Sequence, residues 1–175
     1  MPELFSRFGP ETAAVSLPAW LDLLSVMVGA VSGILVARER RLDMVGFVGL
    51  AMLCGLGGGL VRDMIMQVGD VYMLKSLYAI PSTVGIGIAG FYFPTPFGRF
   101  PSILEWTDIT AVGLFALMGT DKAIVYGTLP CSAILMGTLT GIGGGMLRDV
   151  FLGDVPRIFR PSNYYALCAV AGSTV

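Results

Sequence analysis

GLGGGLVRD at residues 55–63 and GIGGGMLRD at residues 141–149 are one nine-residue pattern written twice, 86 positions apart. Carrying the same offset backwards, residues 20–63 against 106–149, gives 13 identities in 44 positions. The matches fall on uncommon residues: Trp20 on Trp106, Asp22 on Asp108, Gly33 on Gly119, Ala37 on Ala123. After the motif, Gly-Asp-Val recurs at Gly69 and Gly153 with a shift of two. The chain is therefore an internal duplication.

The medium in which that duplication folds follows from composition. Of 175 residues, 55% are hydrophobic and 13% charged, too apolar for an ordinary water-soluble domain. A bilayer core takes about 20 apolar residues per helix. Cutting the chain at its charges gives spans at 18–37, 44–61, 76–98, near 104–120 and 130–147, with an uncharged stretch after Pro161 that supplies part of a sixth. The fold expected is an all-α polytopic membrane protein. Residues 1–17 form an N-terminal tail outside the membrane, with no signal-peptide cleavage pattern. Residues 18–98 form a first three-helix repeat, 99–103 a connection, and 104–175 a second repeat cut short at its C-terminus. Three is an odd number, so the second copy enters from the opposite face and the repeats are inverted, an arrangement that builds transport paths near the midplane. Arg38, Arg40, Arg41, Arg99, Arg157 and Arg160 fall on one side, against Arg7, Lys75 and Lys122 on the other. The positive-inside rule then leaves the N-terminus outside a cell (inner or plasma) membrane.

Glycine in a helix interior costs about 1 kcal/mol relative to alanine, so Gly57, Gly58, Gly59 and Gly143, Gly144, Gly145 need a reason. Three consecutive residues, each rotated by about 100°, cannot share one helix face, and packing alone does not need all three. The triplets are expected to kink or unwind the second and fifth helices. Freed carbonyls would then line a passage for a dehydrated cation. Close helix packing of the small-residue kind is the competing reason.

Directly after each triplet come Arg62-Asp63 and Arg148-Asp149, charges that are costly inside a membrane and therefore candidate functional groups. Two equivalent clusters are expected: Asp22, Arg62 and Asp63 at the outer side, Asp108, Arg148 and Asp149 at the inner side. Neighbours in sequence do not face each other on a helix, so each Arg should pair with another segment. Unpaired carboxylate oxygens would gather cations at the mouths while the Arg groups gate. Ion pairs that merely lock helix ends are the alternative. Ser32, Thr138 and Thr140 have hydroxyls at pore depth, although such residues also serve packing. Trp20 and Trp106 suit interface anchors, Tyr78 and Tyr165 core aromatics.

Several functions are excluded or disfavoured. The chain has no histidine, which removes the commonest metal ligand and neutral-pH base. Cys54, Cys131 and Cys168 are isolated, without metal or redox spacing, and are expected to be free, buried thiols. Eleven basic residues nearly balance twelve acidic ones, with no basic block for nucleic acid. The triplets lack the Lys-Ser/Thr that follows a phosphate loop. No metal, cofactor or catalytic residue is expected, and an enzyme is the least expected reading.

Two copies of GxGGGxxRD, each closing the second helix of a three-helix unit that opens with Asp, resemble the prokaryotic TRIC family of trimeric intracellular cation channels over residues 20–175. The resemblance implies a homotrimer in membrane lipid, with one pore per protomer shaped by Gly-kinked second and fifth helices. It also implies a seventh helix, which this chain stops short of, and conduction of monovalent cations, chiefly K+, with Na+ the other candidate. The lipid-binding Lys-Glu-Val of animal members is absent, Met146-Leu147-Arg148-Asp149 standing near its place. The same domain is also described in bacteria as a carrier of glycine or another small solute. A carrier is the second reading, a purely structural membrane protein the third.

Overall fold

In the computed structural model the described residues are 17–67, 71–93, 101–159 and 172. Residues 1–16 of the expected tail, and all but Gly172 of the sixth span after Pro161, lie outside them, as do Tyr165 and Cys168. The described chain is helical, without a strand: α1 Ala19–Glu39, α2 Met44–Met66, α3 Tyr72–Lys75, α4 Ala79–Tyr92, α5 Pro101–Val125, α6 Pro130–Phe151, and a 3-10 turn Arg157–Phe159.

Local chemistry sets the boundaries. Asp43 caps α2 by accepting from the Gly46 amide at 2.8 Å. Pro130 opens α6 at a first-turn position where no amide hydrogen bond is lost. α1 stops where Arg41 turns to φ 52°, and α2 where Gln67 turns to φ 48°. These left-handed residues close helices in the manner of C-caps.

α1, α2, α5 and α6 are each long and apolar enough to cross a bilayer. Their outward faces are apolar, as at Val45, Leu135 and Val150, whereas the buried set contains Asp22, Arg62, Asp108 and Arg148. Lipid-facing apolar surface with charges turned inward identifies a membrane protein. The third span differs from expectation: α4 has 14 residues, about 21 Å at 1.5 Å per residue, short of a core of about 30 Å. Phe93, which precedes a proline, is extended at ψ 108° and ends that helix. Conversely, α2 and α5 outrun their expected limits by carrying Arg62, Asp63, Asp121 and Lys122 within the helix. Moreover, α5 starts at Pro101, inside the expected 99–103 connection.

The inversion follows from who meets whom. Asp22 at the start of α1 lies against Arg62 at the end of α2, and Lys122 at the end of α5 against Asp63. One end of the bundle, the Trp20 end, thus holds the start of α1 and the end of its copy, α5. At the other, the Trp106 end, Asp108 at the start of α5 meets Arg148 at the end of α6.

Glycines make the crossings, and they do so in duplicate. Within the first copy, a Cβ on Gly55 would come 2.7 Å from the Val26 carbonyl oxygen of α1; within the second, one on Gly141 would come 2.7 Å from the Val112 carbonyl oxygen of α5. Between copies, Gly58 faces the Thr140 carbonyl oxygen at 2.5 Å and Gly144 the Cys54 carbonyl oxygen at 2.7 Å. Positions 54 and 140 are themselves 86 apart, so the pseudo-twofold axis passes through this α2/α6 contact.

The unwound triplets expected from sequence are not present. Both α2 and α6 run as α-helix through them, so their carbonyls stay in the helical ladder. Gly57, Gly58, Gly143 and Gly144 are buried at the crossing, and the third glycine of each triplet, Gly59 or Gly145, is half-buried beside it. Backbones in van der Waals contact leave no room for Cβ atoms, the packing use of small residues.

Candidate functional site

Each end of the four-helix interior carries a buried charge cluster. At the Trp20 end, the Arg62 guanidinium donates through Nε to Asp63 Oδ1 at 2.8 Å and lies 3.6 Å from Asp22 Oδ1. Lys122 Nζ donates to the same Asp63 oxygen at 2.7 Å. At the Trp106 end, Arg148 grips Asp108 with two nitrogens, at 3.0 and 3.2 Å, and donates through Nε to Asp149 Oδ1 at 2.8 Å. Arg157 completes the set, its Nη1 3.4 Å from Asp108 Oδ2 and its amide donating to Asp149 Oδ2 at 2.9 Å. Ser32 of α1 donates to Asp108 Oδ1 at 2.7 Å and accepts from Arg148 at 3.1 Å.

The six charged residues singled out by sequence thus gather in two equivalent groups. Two features differ. Each Arg also pairs with the Asp that follows it, because its long side chain curls back along its own helix end. The expected unpaired carboxylate oxygens are not found at the Trp106 end, where both oxygens of Asp108 and of Asp149 are engaged. Among the described residues no buried side-chain nitrogen or oxygen lacks a partner, as low-dielectric burial demands.

Sequence reasoning missed the second cation of each group. Counting, among the described residues, Asp22, Asp63, Arg62 and Lys122 at one end and Asp108, Asp149, Arg148 and Arg157 at the other, each group is formally neutral. A signal for Lys122 existed: it lies 14 residues after Asp108, two heptads on, and so on the same face of α5. Those 14 residues span about 21 Å, which puts both groups within the thickness of a hydrocarbon core.

Between the groups the interior is uneven. A funnel of about 660 Å³ opens at the Trp20 end, bounded by Asp22, Arg62, Lys75, Tyr78, Asp121 and Lys122. Past it lies a void of about 10 Å³ bordered by Ser32, Cys54, Asp108, Phe115 and Gly144. That is no more than about one water-sized probe. Among the hydroxyls, Ser32 borders the void. Thr140 is buried and donates to the Met136 carbonyl at 2.7 Å, and Thr138 donates to Ile134 at 2.9 Å, so both turn back on their own helix. Tyr78, expected in the core, is exposed on the rim of the funnel, and Cys131, expected to be buried, is exposed while Cys54 is buried. Trp20 and Trp106 are exposed beside Asp22 and Asp108, as interface residues are. No metal-holding cluster occurs among the described residues.

Comparison with known proteins places this architecture. The model of a family described as glycine transporter matches residues 19–94 and 105–175. The UPF0126 inner membrane protein YadS of Escherichia coli is 32% identical over 158 residues, covering 87% of this chain and 74% of that protein. A UPF0126 membrane protein of Deinococcus radiodurans is 33% identical, covering 88% of this chain and 72% of that one. Among solved structures, the TRIC trimeric intracellular cation channel orthologue from Rhodobacter sphaeroides superposes with a TM-score of 0.79 at 31% identity, over 89% of this chain and 79% of that chain.

Proposed function

This chain belongs to the membrane-protein family that the glycine transporter model describes and that includes the TRIC channels, and on that premise we propose that it is a monovalent cation channel with one pore per protomer. Potassium is the principal ion, sodium the second candidate. The observation that carries this reading is the pair of buried, neutral Asp–Arg groups at opposite ends of one helical interior, with a funnel leading to the first. Charges at such depth are expensive unless they serve a path or lock a fold. Neutrality lets a cation pass carboxylate oxygens without meeting a deep anionic trap, and multi-site weak binding is what conduction requires. The protomers form a homotrimer in lipid, by likeness to the trimeric orthologue. The excess of Arg at the Trp106 end supports a cytoplasmic placement of that end in an inner or plasma membrane, with the N-terminus outside.

A carrier of glycine or a similar small solute is the second reading, favoured by the description of the matched family. Purified protein in liposomes with a potassium gradient separates the two. The channel reading predicts rapid potassium efflux with no saturable glycine uptake in parallel vesicles. Saturable glycine accumulation without potassium flux would overturn it.

A further inference from the structure

Beside the small void stands a side chain that breaks the internal symmetry. On the repeat offset, position 29 of α1 corresponds to position 115 of α5, yet the first holds glycine and the second phenylalanine. Phe115 is 2% exposed. A Cβ built on Gly29 would stand 3.0 Å from Phe115 Cε2, and one on Gly58 3.5 Å from its Cδ1. The ring therefore leans into the recess that two glycines of α1 and α2 leave open, one of them in the α2/α6 crossing itself. Along the same face of α5 run Asp108, Val112, Phe115, Met118 and Lys122, at spacings of three and four. Met118 lines the funnel, and Phe115 with Asp108 lines the void. Along α5, Phe115 thus stands between Met118 of the funnel and Asp108 of the inner charge group, packed among Val26, Leu56, Ala79 and Ala111.

We propose that Phe115 is the constriction that closes the ion path at its midpoint, and that swinging its ring out of the Gly29/Gly58 recess joins the funnel to the inner charge group. An apolar ring in a passage this narrow excludes water, and a dewetted segment stops ions without any charge. The duplication supplies the recess that the ring occupies, because glycine stands at the equivalent place in the first copy. This inference rests on the channel reading.

The test uses purified full chain in liposomes, with Cys131 and Cys168 replaced by serine so that Cys54, on the void side of Phe115, is the one remaining thiol. Two quantities are read: potassium efflux, and the rate at which a membrane-impermeant cationic methanethiosulfonate modifies Cys54. Phe115→Ala and the milder Phe115→Leu should raise both by on the order of tenfold, and Phe115→Trp should lower both. Phe115→Leu keeps most of the core volume, so it remains readable if the alanine variant does not fold. If the parent protein conducts and Phe115→Leu changes neither quantity, the constriction lies elsewhere and this inference falls alone. If neither parent nor variants pass potassium, the channel reading falls and takes the inference with it.

Discussion

A Cβ at position 58 and one at position 59 meet opposite fates, although both positions are glycine in the same triplet. At Gly58 it would stand 2.5 Å from a backbone oxygen of the other copy, whereas at Gly59 the nearest group is the far end of Arg62 at 3.9 Å. Gly58→Ala should therefore cost about 1–3 kcal/mol, the range for overpacking. Gly59→Ala should be neutral or stabilising by up to about 1 kcal/mol, the helix propensity difference. Apparent melting temperature in detergent checks both; equal destabilisation by the two would count against the crossing described. Arg148 makes a second prediction at this scale. It is fully buried and holds Asp108 and Asp149 together, so Arg148→Ala takes the buried cation from two carboxylates and should destabilise by about 3–5 kcal/mol, seen as loss of monodisperse protein on size exclusion. The importance of these residues was legible because each motif appears twice and charges in apolar runs are rare. Their use was less legible: glycine triplets fit either an unwound turn or a tight crossing, and the choice depends on which backbone lies opposite, which local sequence does not state.

At the scale of the element, the spans were found by cutting the sequence at charged residues, and that rule erred in a consistent direction. It clipped α2 before Arg62 and α5 before Asp121, because it takes charges for helix ends. Here the charges are carried inside the helix and satisfied by partners on other helices. The short α4 escaped for the opposite reason: its apolar run continues past Tyr92, but the proline after Phe93 ends the helix. The end of α5 offers a direct check on the link between copies. Asp63→Asn, Lys122→Met and the double substitution form a thermodynamic cycle across the α2/α5 contact. The account expects a favourable coupling of at least about 0.5 kcal/mol; strict additivity of the three stabilities would separate the two helix ends.

For the molecule as a whole, inversion needs nothing beyond an odd number of spans per copy, which is why it could be read from sequence. The structure then expresses it in reciprocal contacts such as Gly58 on residue 140 and Gly144 on residue 54. Assembly belongs to this scale too: cross-linking of the protein in native membranes should give a ladder ending at three chains, and a ladder ending at two would contradict the trimer. The central claim is that ions move through the interior of one protomer, between its two charge groups. The most direct measurement is potassium current through single proteins in a planar bilayer, before and after a thiol-reactive cation modifies a chain whose remaining cysteine is Cys54. The account predicts discrete currents that the reagent blocks irreversibly and that persist when Cys54 is replaced by serine. Currents indifferent to modification of Cys54, or blocked equally without it, would place the ion path outside the protomer interior.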